Sequence, residues 1–263
     1  MRAVLASAAE DECLFLAGGV AYQMFFSLIP LVALVVGVLA FVYGSERAQT
    51  ELVQVLRNVY PSATAQELRI ARELVDGRAV SLSLGAIGTV LSAGAVYGAA
   101  DTALSLVLGG GRKRGFLRGH VSAFASVAGI AVIAVASFAL SYGAQAAQGF
   151  LTAAGLSRLA RVIIAVGSPA IGLGLGFLFF YAIYRSLPRR PVGTRSAATA
   201  ALVSAVLWEV AKVAFGFFTR ALGIFAAYGP IAFAAGLLTW VYLTAVIILL
   251  GAELIKVGMA KQQ

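Results

Sequence analysis

The sequence predicts an all-α polytopic membrane protein: a bundle of about six transmembrane helices with short amphipathic helices on its outer side. Three observations predict it. Of 263 residues, 61% are apolar and only 12% are charged, about half the charged share of soluble domains, which is roughly 25%. The mean hydropathy is +0.94. The apolar residues also gather into six long runs, and about 20 such residues suffice to cross a hydrocarbon core of about 30 Å as a helix. These runs are uniformly apolar, without the alternation over about ten residues that marks barrel strands.

The first run, 14–43, is uncharged. Glu10, Asp11 and Glu12 precede it, where a cleaved leader would be basic, so a retained helix is expected. At a 1.5 Å rise the run would reach about 45 Å, more than one bilayer core. Pro30, near its middle, removes a backbone donor. The helix is therefore expected to kink, tilt or break, which makes Tyr22, Gln23, Ser27 and Pro30 candidates for a kink or for the lining of a path. An ordinary kink is the plainer reading.

Segment 44–78 follows, with five Arg balanced by five acids. Thr64 and Glu67 fit a capping box. Leu68, Ala71 and Val75 recur at helical spacing, Arg69–Glu73 and Arg72–Asp76 lie four apart, and Gly77 is placed as a stop. A second helix is expected around Leu52, Leu56 and Val59, ended by Pro61. Both are read as amphipathic helices covering the outer side of the bundle. The remaining runs are 79–108, carrying only Asp101; 121–143, uncharged; 162–184, uncharged; 196–219, carrying Glu209 and Lys212; and 228–252, uncharged. Gly94 with Gly98, and Gly172 with Gly176, form small-residue faces suited to close helix packing. All of 1–263 is expected to form one membrane domain.

Loop charge sets the expected orientation. Loop 109–120 carries Arg112, Lys113, Arg114 and Arg118 with no acid, and loop 185–195 carries Arg185, Arg189, Arg190 and Arg195 with no acid. Two crossings separate these loops, so they share a side, and that side is expected to be cytoplasmic, with both termini. Arg112, Lys113, Arg114, Arg118, Arg189 and Arg190 are candidate contacts for anionic lipid headgroups. The net charge of +9 then reflects topology and membrane lipids as partners, and calls for no nucleic acid. Self-association stays open.

Ionisable groups inside a membrane are costly unless paired or wet. Tyr97, Asp101 and Ser105 fall on one helical stripe, and Glu209 and Lys212 share a face three residues apart. Turning all of these inward would let Asp101 and Glu209 share Lys212. Such a cluster reads equally as a structural lock or as a site for a coupling ion or substrate. With one His, one Cys and no phosphate-loop order of residues, neither a metal nor a cofactor is expected, and no enzyme constellation emerges.

Several stretches resemble the YihY/virulence factor BrkB family of bacterial inner-membrane proteins. Ala21-Tyr22 through Ser27 to Pro30 resembles its A-Y-x-x-x-x-S-x-x-P stretch, and Leu187-Pro188 its L-P loop. Trp208-Glu209 with Lys212 resembles its W-E-x-x-K helix, and Tyr228-Gly229 the entry to its last helix. Trp240-x-Tyr242 and Gly251-Ala252-Glu253-Leu254 resemble its closing signature. Two places depart from the pattern: Asp101-Thr102 stands where many members carry a polar R-x-x-N stretch, and Ile255 where asparagine often follows G-A-E-L. The resemblance implies a six-helix inner-membrane protein. Members have been labelled ribonuclease BN, a label widely considered mistaken, and this sequence gives it no support. The expected function is transport or export of a lipid or small solute. The alternatives are a non-transporting envelope scaffold and, with least support, an intramembrane hydrolase using two buried carboxylates.

Overall fold

In a computed structural model, described for residues 2–46, 49–50, 53, 73, 75–110, 157–222 and 224–260, six helices follow in order and no strand occurs among these residues. They are α1 (Arg2–Glu10), α2 (Cys13–Tyr43), α3 (Arg78–Val107), α4 (Ser157–Ser186), α5 (Thr194–Leu222) and α6 (Ile224–Ala260). Helices α2, α3, α5 and α6 are long and apolar enough to cross a membrane, and α4 carries a shorter apolar stretch, Ala170–Ser186. These five helices overlap five of the six expected spans in sequence, and four of them are long and apolar enough to cross. The third span, 121–143, lies outside the described residues, as do Arg112, Lys113, Arg114, Arg118 and most of the expected outer helices, including Thr64 and Glu67. The two ends of that outer segment are tied together, since Gln49 Nε2 donates to Asp76 Oδ1 at 2.7 Å. Val75 is buried beside Val36 and Ala40 of α2.

Large apolar side chains such as Phe15, Phe41, Val213 and Phe217 lie exposed on the bundle's exterior, as a surface facing lipid requires. The tightly packed core sits at one end. There the start of α2 (Ala17, Val20), the end of α3 (Leu104, Val107), the end of α4 (Phe180, Tyr184), the start of α5 (Ala197, Ala201) and the last turns of α6 (Leu249, Ile255) converge. Small residues dominate the α5 contribution. In lipid, helix association draws on close van der Waals contact, which small residues permit.

Helix α2 runs unbroken through Pro30, so the expectation of a break gives way to a continuous helix. The ring of Pro30 is accommodated by Gly88 of α3, where a Cβ would lie 2.7 Å from Pro30 Cβ. Tyr22 is exposed and packs on Phe26 at 4.6 Å, and Gln23 is half-buried on the same helix. Ser27 Oγ donates to the Met24 carbonyl at 2.6 Å. The same seam explains two further glycines. A Cβ on Gly37 would lie 2.8 Å from Leu82 Cα, and one on Gly85 would lie 2.7 Å from Leu34 Cα. Among the described residues nothing approaches Gly94 or Gly98 within 4 Å, so the α2–α3 seam runs over Gly37, Gly85 and Gly88 instead. Gly85→Ala should lower stability by about 1–3 kcal/mol, because the opposing atoms are backbone and do not yield as side chains do. Thermal unfolding in detergent checks this, with Gly94→Ala as a near-neutral control.

Three boundaries differ from expectation. Helix α4 begins at Ser157 rather than 162, α5 continues to Leu222 rather than 219, and α6 continues to Ala260 rather than 252. The last extension has a physical cause: Glu253 and Lys256 are not loop charges, because both find partners in the fold.

Candidate functional site

Three groups of charged side chains stand out inside the bundle among the described residues. The first joins Asp101 to the α4–α5 loop. Arg189 Nε and Nη2 both donate to Asp101 Oδ2, at 2.9 and 2.7 Å. Both side chains are largely buried, at 14% and 16% exposure. Arg185 Nη1 caps the same loop by donating to the Val192 carbonyl at 2.7 Å, and Leu187 is buried beneath it. Ser105 Oγ, one turn below Asp101, is buried without a hydrogen-bond partner, and Tyr97 packs against the core.

The second group lies near the middle of α5. Lys212 Nζ donates to Glu209 Oε1 at 2.6 Å, and it stands 5.1 Å from the Trp208 ring centroid, within cation–π range. Gly172 of α4 makes room for the pair, since a Cβ there would lie 2.8 Å from Glu209 Oε1. Gly176, one turn on, packs against Ala205. Trp208 in turn contacts Phe179, Phe180 and Trp240, at 6.3, 6.1 and 6.0 Å between ring centroids. The pair is partly open, with Lys212 38% and Glu209 25% exposed.

The expected three-way cluster therefore does not form. Asp101 is held by Arg189, and Lys212 by Glu209. Depth is the reason. Asp101 stands six residues before the end of α3, about 9 Å, whereas Lys212 stands eighteen residues beyond the start of α5, about 27 Å. Contact between Asp101 and Arg189 places those two helix ends on one side, so the charges lie at different levels. Arg189, a headgroup candidate by its charge, is engaged inside the protein. Arg190 is exposed beside it.

Sequence reading missed the third group, which sits where the chain's first and last described helices meet. Glu253 of α6 is fully buried. Its Oε1 accepts from the Cys13 thiol at 3.5 Å, and its Oε2 lies 3.9 Å from Lys256 Nζ. Lys256 also donates to Asp11 Oδ2 at 2.5 Å. Asp11 belongs to a two-residue elbow between α1 and α2, in which Glu12 takes the left-handed conformation with φ 51°. Two signals for this group were present: Val4 and Ala8, four apart and buried on one face of α1, and the acid of the closing G-A-E-L stretch.

Helices of this length and apolarity, carrying paired charges between them, define an α-helical integral membrane protein. The chain belongs to the virulence factor BrkB family, whose family model matches residues 4–262. It is 28% identical over 247 residues to a UPF0761 membrane protein of Alkalilimnicola ehrlichii, an overlap of 93% of this chain and 54% of that protein. It is 28% identical over 257 residues to a UPF0761 membrane protein of Cronobacter sakazakii, covering 93% and 83% respectively. A third relative, from Stenotrophomonas maltophilia, is 28% identical over 252 residues, covering 93% and 57%. The chain thus spans little more than half the length of the Alkalilimnicola and Stenotrophomonas relatives. No solved structure matches it.

Proposed function

We propose that the protein is a transporter in a bacterial inner membrane, moving a lipid or small solute, with its basic loops and both termini on the cytoplasmic side. One observation carries this reading: the partly open Glu209–Lys212 pair near the middle of α5. A structural lock gains most when it is shut away from solvent, with all its hydrogen bonds satisfied. This pair instead leaves donor capacity on a partly exposed Lys212, with Trp208 and Gly172 packed close to the pair. A fixed ammonium and carboxylate side by side suit a solute or headgroup that bears charge. Transport by such a site needs no covalent chemistry, only a change in which side the pair faces.

The variants Glu209→Gln, Lys212→Met and their combination test the reading. Lys212→Met alone strands a carboxylate and should lower the melting temperature in detergent. The double variant should recover stability, since the two effects are coupled through one contact. Growth, lipid composition and metabolite content of a deletion strain complemented with each variant provide the functional readout. Stability restored without function supports transport through this site. Function restored together with stability makes the pair a structural lock.

A further inference from the structure

We propose that Glu253 is a proton-binding site, occupied and vacated while the protein stays folded, with Lys256 moving between two carboxylates as the proton comes and goes. The inference stands apart from the transport reading and does not require it.

The geometry carries it. Glu253 is fully buried, and its Oε2 has no hydrogen-bond partner. An ionised carboxylate in such a place needs donors on both oxygens, and here Cys13 serves only Oε1. The groups that face it are Asp11 from the elbow, whose carboxyl comes within hydrogen-bonding reach of it, Ser7 of α1, whose hydroxyl hydrogen-bonds to it and favours the charged form, Cys13 from α2 and Lys256 from its own helix. Two carboxyl groups therefore share one ammonium. Lys256 sits on Asp11 at 2.5 Å and stands off Glu253 at 3.9 Å, so it neutralises the first and leaves the second short of a counter-charge. A proton on Glu253 removes that deficit.

Deprotonation has a defined course. The carboxyl O–H bond breaks, and its electron pair stays on the Glu253 carboxylate. Lys256 then closes the gap to Oε2 and vacates Asp11. Asp11, 26% exposed, accepts the proton and passes it to solvent. The cost falls on the elbow, because the Lys256–Asp11 contact is what ties it to α6.

Infrared difference spectra of the full chain in lipid nanodiscs, recorded from about pH 5 to about pH 9, test the proposal. A protonated-carboxyl C=O band should fade as pH rises and be missing in Glu253→Gln. The S–H stretch of Cys13, the chain's one thiol, should shift with the same midpoint, because its acceptor gains charge. Asp11→Asn frees Lys256 for Glu253 and should move the midpoint down by about one pH unit or more, whereas Lys256→Met should move it up. These two opposite shifts keep the test open if Glu253→Gln fails to assemble. A band that survives unchanged in Glu253→Gln, or a midpoint that moves with neither Asp11→Asn nor Lys256→Met, overturns the proposal.

Discussion

Adding one methyl group at Gly251 is expected to cost more stability than any truncation of an exposed side chain. A Cβ at this position would overlap the Tyr184 hydroxyl and Ser204 Oγ and would lie 2.6 Å from Tyr184 Cζ. None of these atoms has room to retreat. Tyr184 is completely buried, and its hydroxyl donates to the Ile248 carbonyl at 3.0 Å and accepts from Ser204 Oγ at 2.8 Å. Phe180 stacks on its ring at 6.4 Å. Overpacking costs about 1–3 kcal/mol, and each buried polar group left unpaired adds about 1–3 kcal/mol. Gly251→Ala should therefore lower the melting temperature sharply or prevent accumulation of folded protein. Combining it with Tyr184→Phe should recover only part of the loss, since the ring carbon remains in the way. Full recovery, or a neutral Gly251→Ala, would contradict this packing. Thermal unfolding in detergent and yield from membranes are the measurements.

Arg189→Ala should be the most damaging loss of a charge. Asp101 Oδ1 is already buried without a partner, and both hydrogen bonds to Oδ2 come from Arg189. Removing the guanidinium leaves a buried carboxylate alone, at a cost of about 3–5 kcal/mol. Arg189→Lys keeps the charge but gives up the two-pronged contact, so it should fall between wild type and alanine. Asp101→Asn combined with Arg189→Met should restore most of the stability. Arg190→Ala, exposed next door, should leave the melting temperature unchanged. Equal effects of Arg189→Ala and Arg190→Ala would show that the Asp101 contact contributes nothing.

Much of this architecture is legible in the chain, and the reasons differ by feature. Length and apolarity located five described helices, because crossing a bilayer imposes a minimum span that few other constraints imitate. The Glu209–Lys212 contact followed from helical spacing alone. The partner of Asp101 did not, because pairing between helices depends on depth, and each side chain was assigned to a face without a level. Counting residues from the basic loops would have matched Asp101 to that loop. Gly251 and Gly88 illustrate a different gap: a glycine's necessity lies in what packs against it, and small-residue spacing pointed instead to Gly94 and Gly98. Glu253 was missed because an apolar run was taken to end at its first charge, whereas α6 continues past it. Helix α1 was missed because nine residues with two buried apolar positions give too short a pattern to stand out from a polar leader.

The elbow at Asp11–Glu12 bears on the order in which the protein is made. The partner of Asp11 lies 245 residues further along, and that of the adjoining Cys13 lies 240 residues further along, both on the last described helix. During synthesis α2 enters the bilayer while α6 does not yet exist. Throughout that interval Asp11 lacks its lysine and Cys13 its acceptor. These contacts thus become available only after α6 is made, and among the described residues they join α2 and the elbow before it to the final turns of α6. Until Lys256 is made, α2 carries an unmatched acid at its entrance.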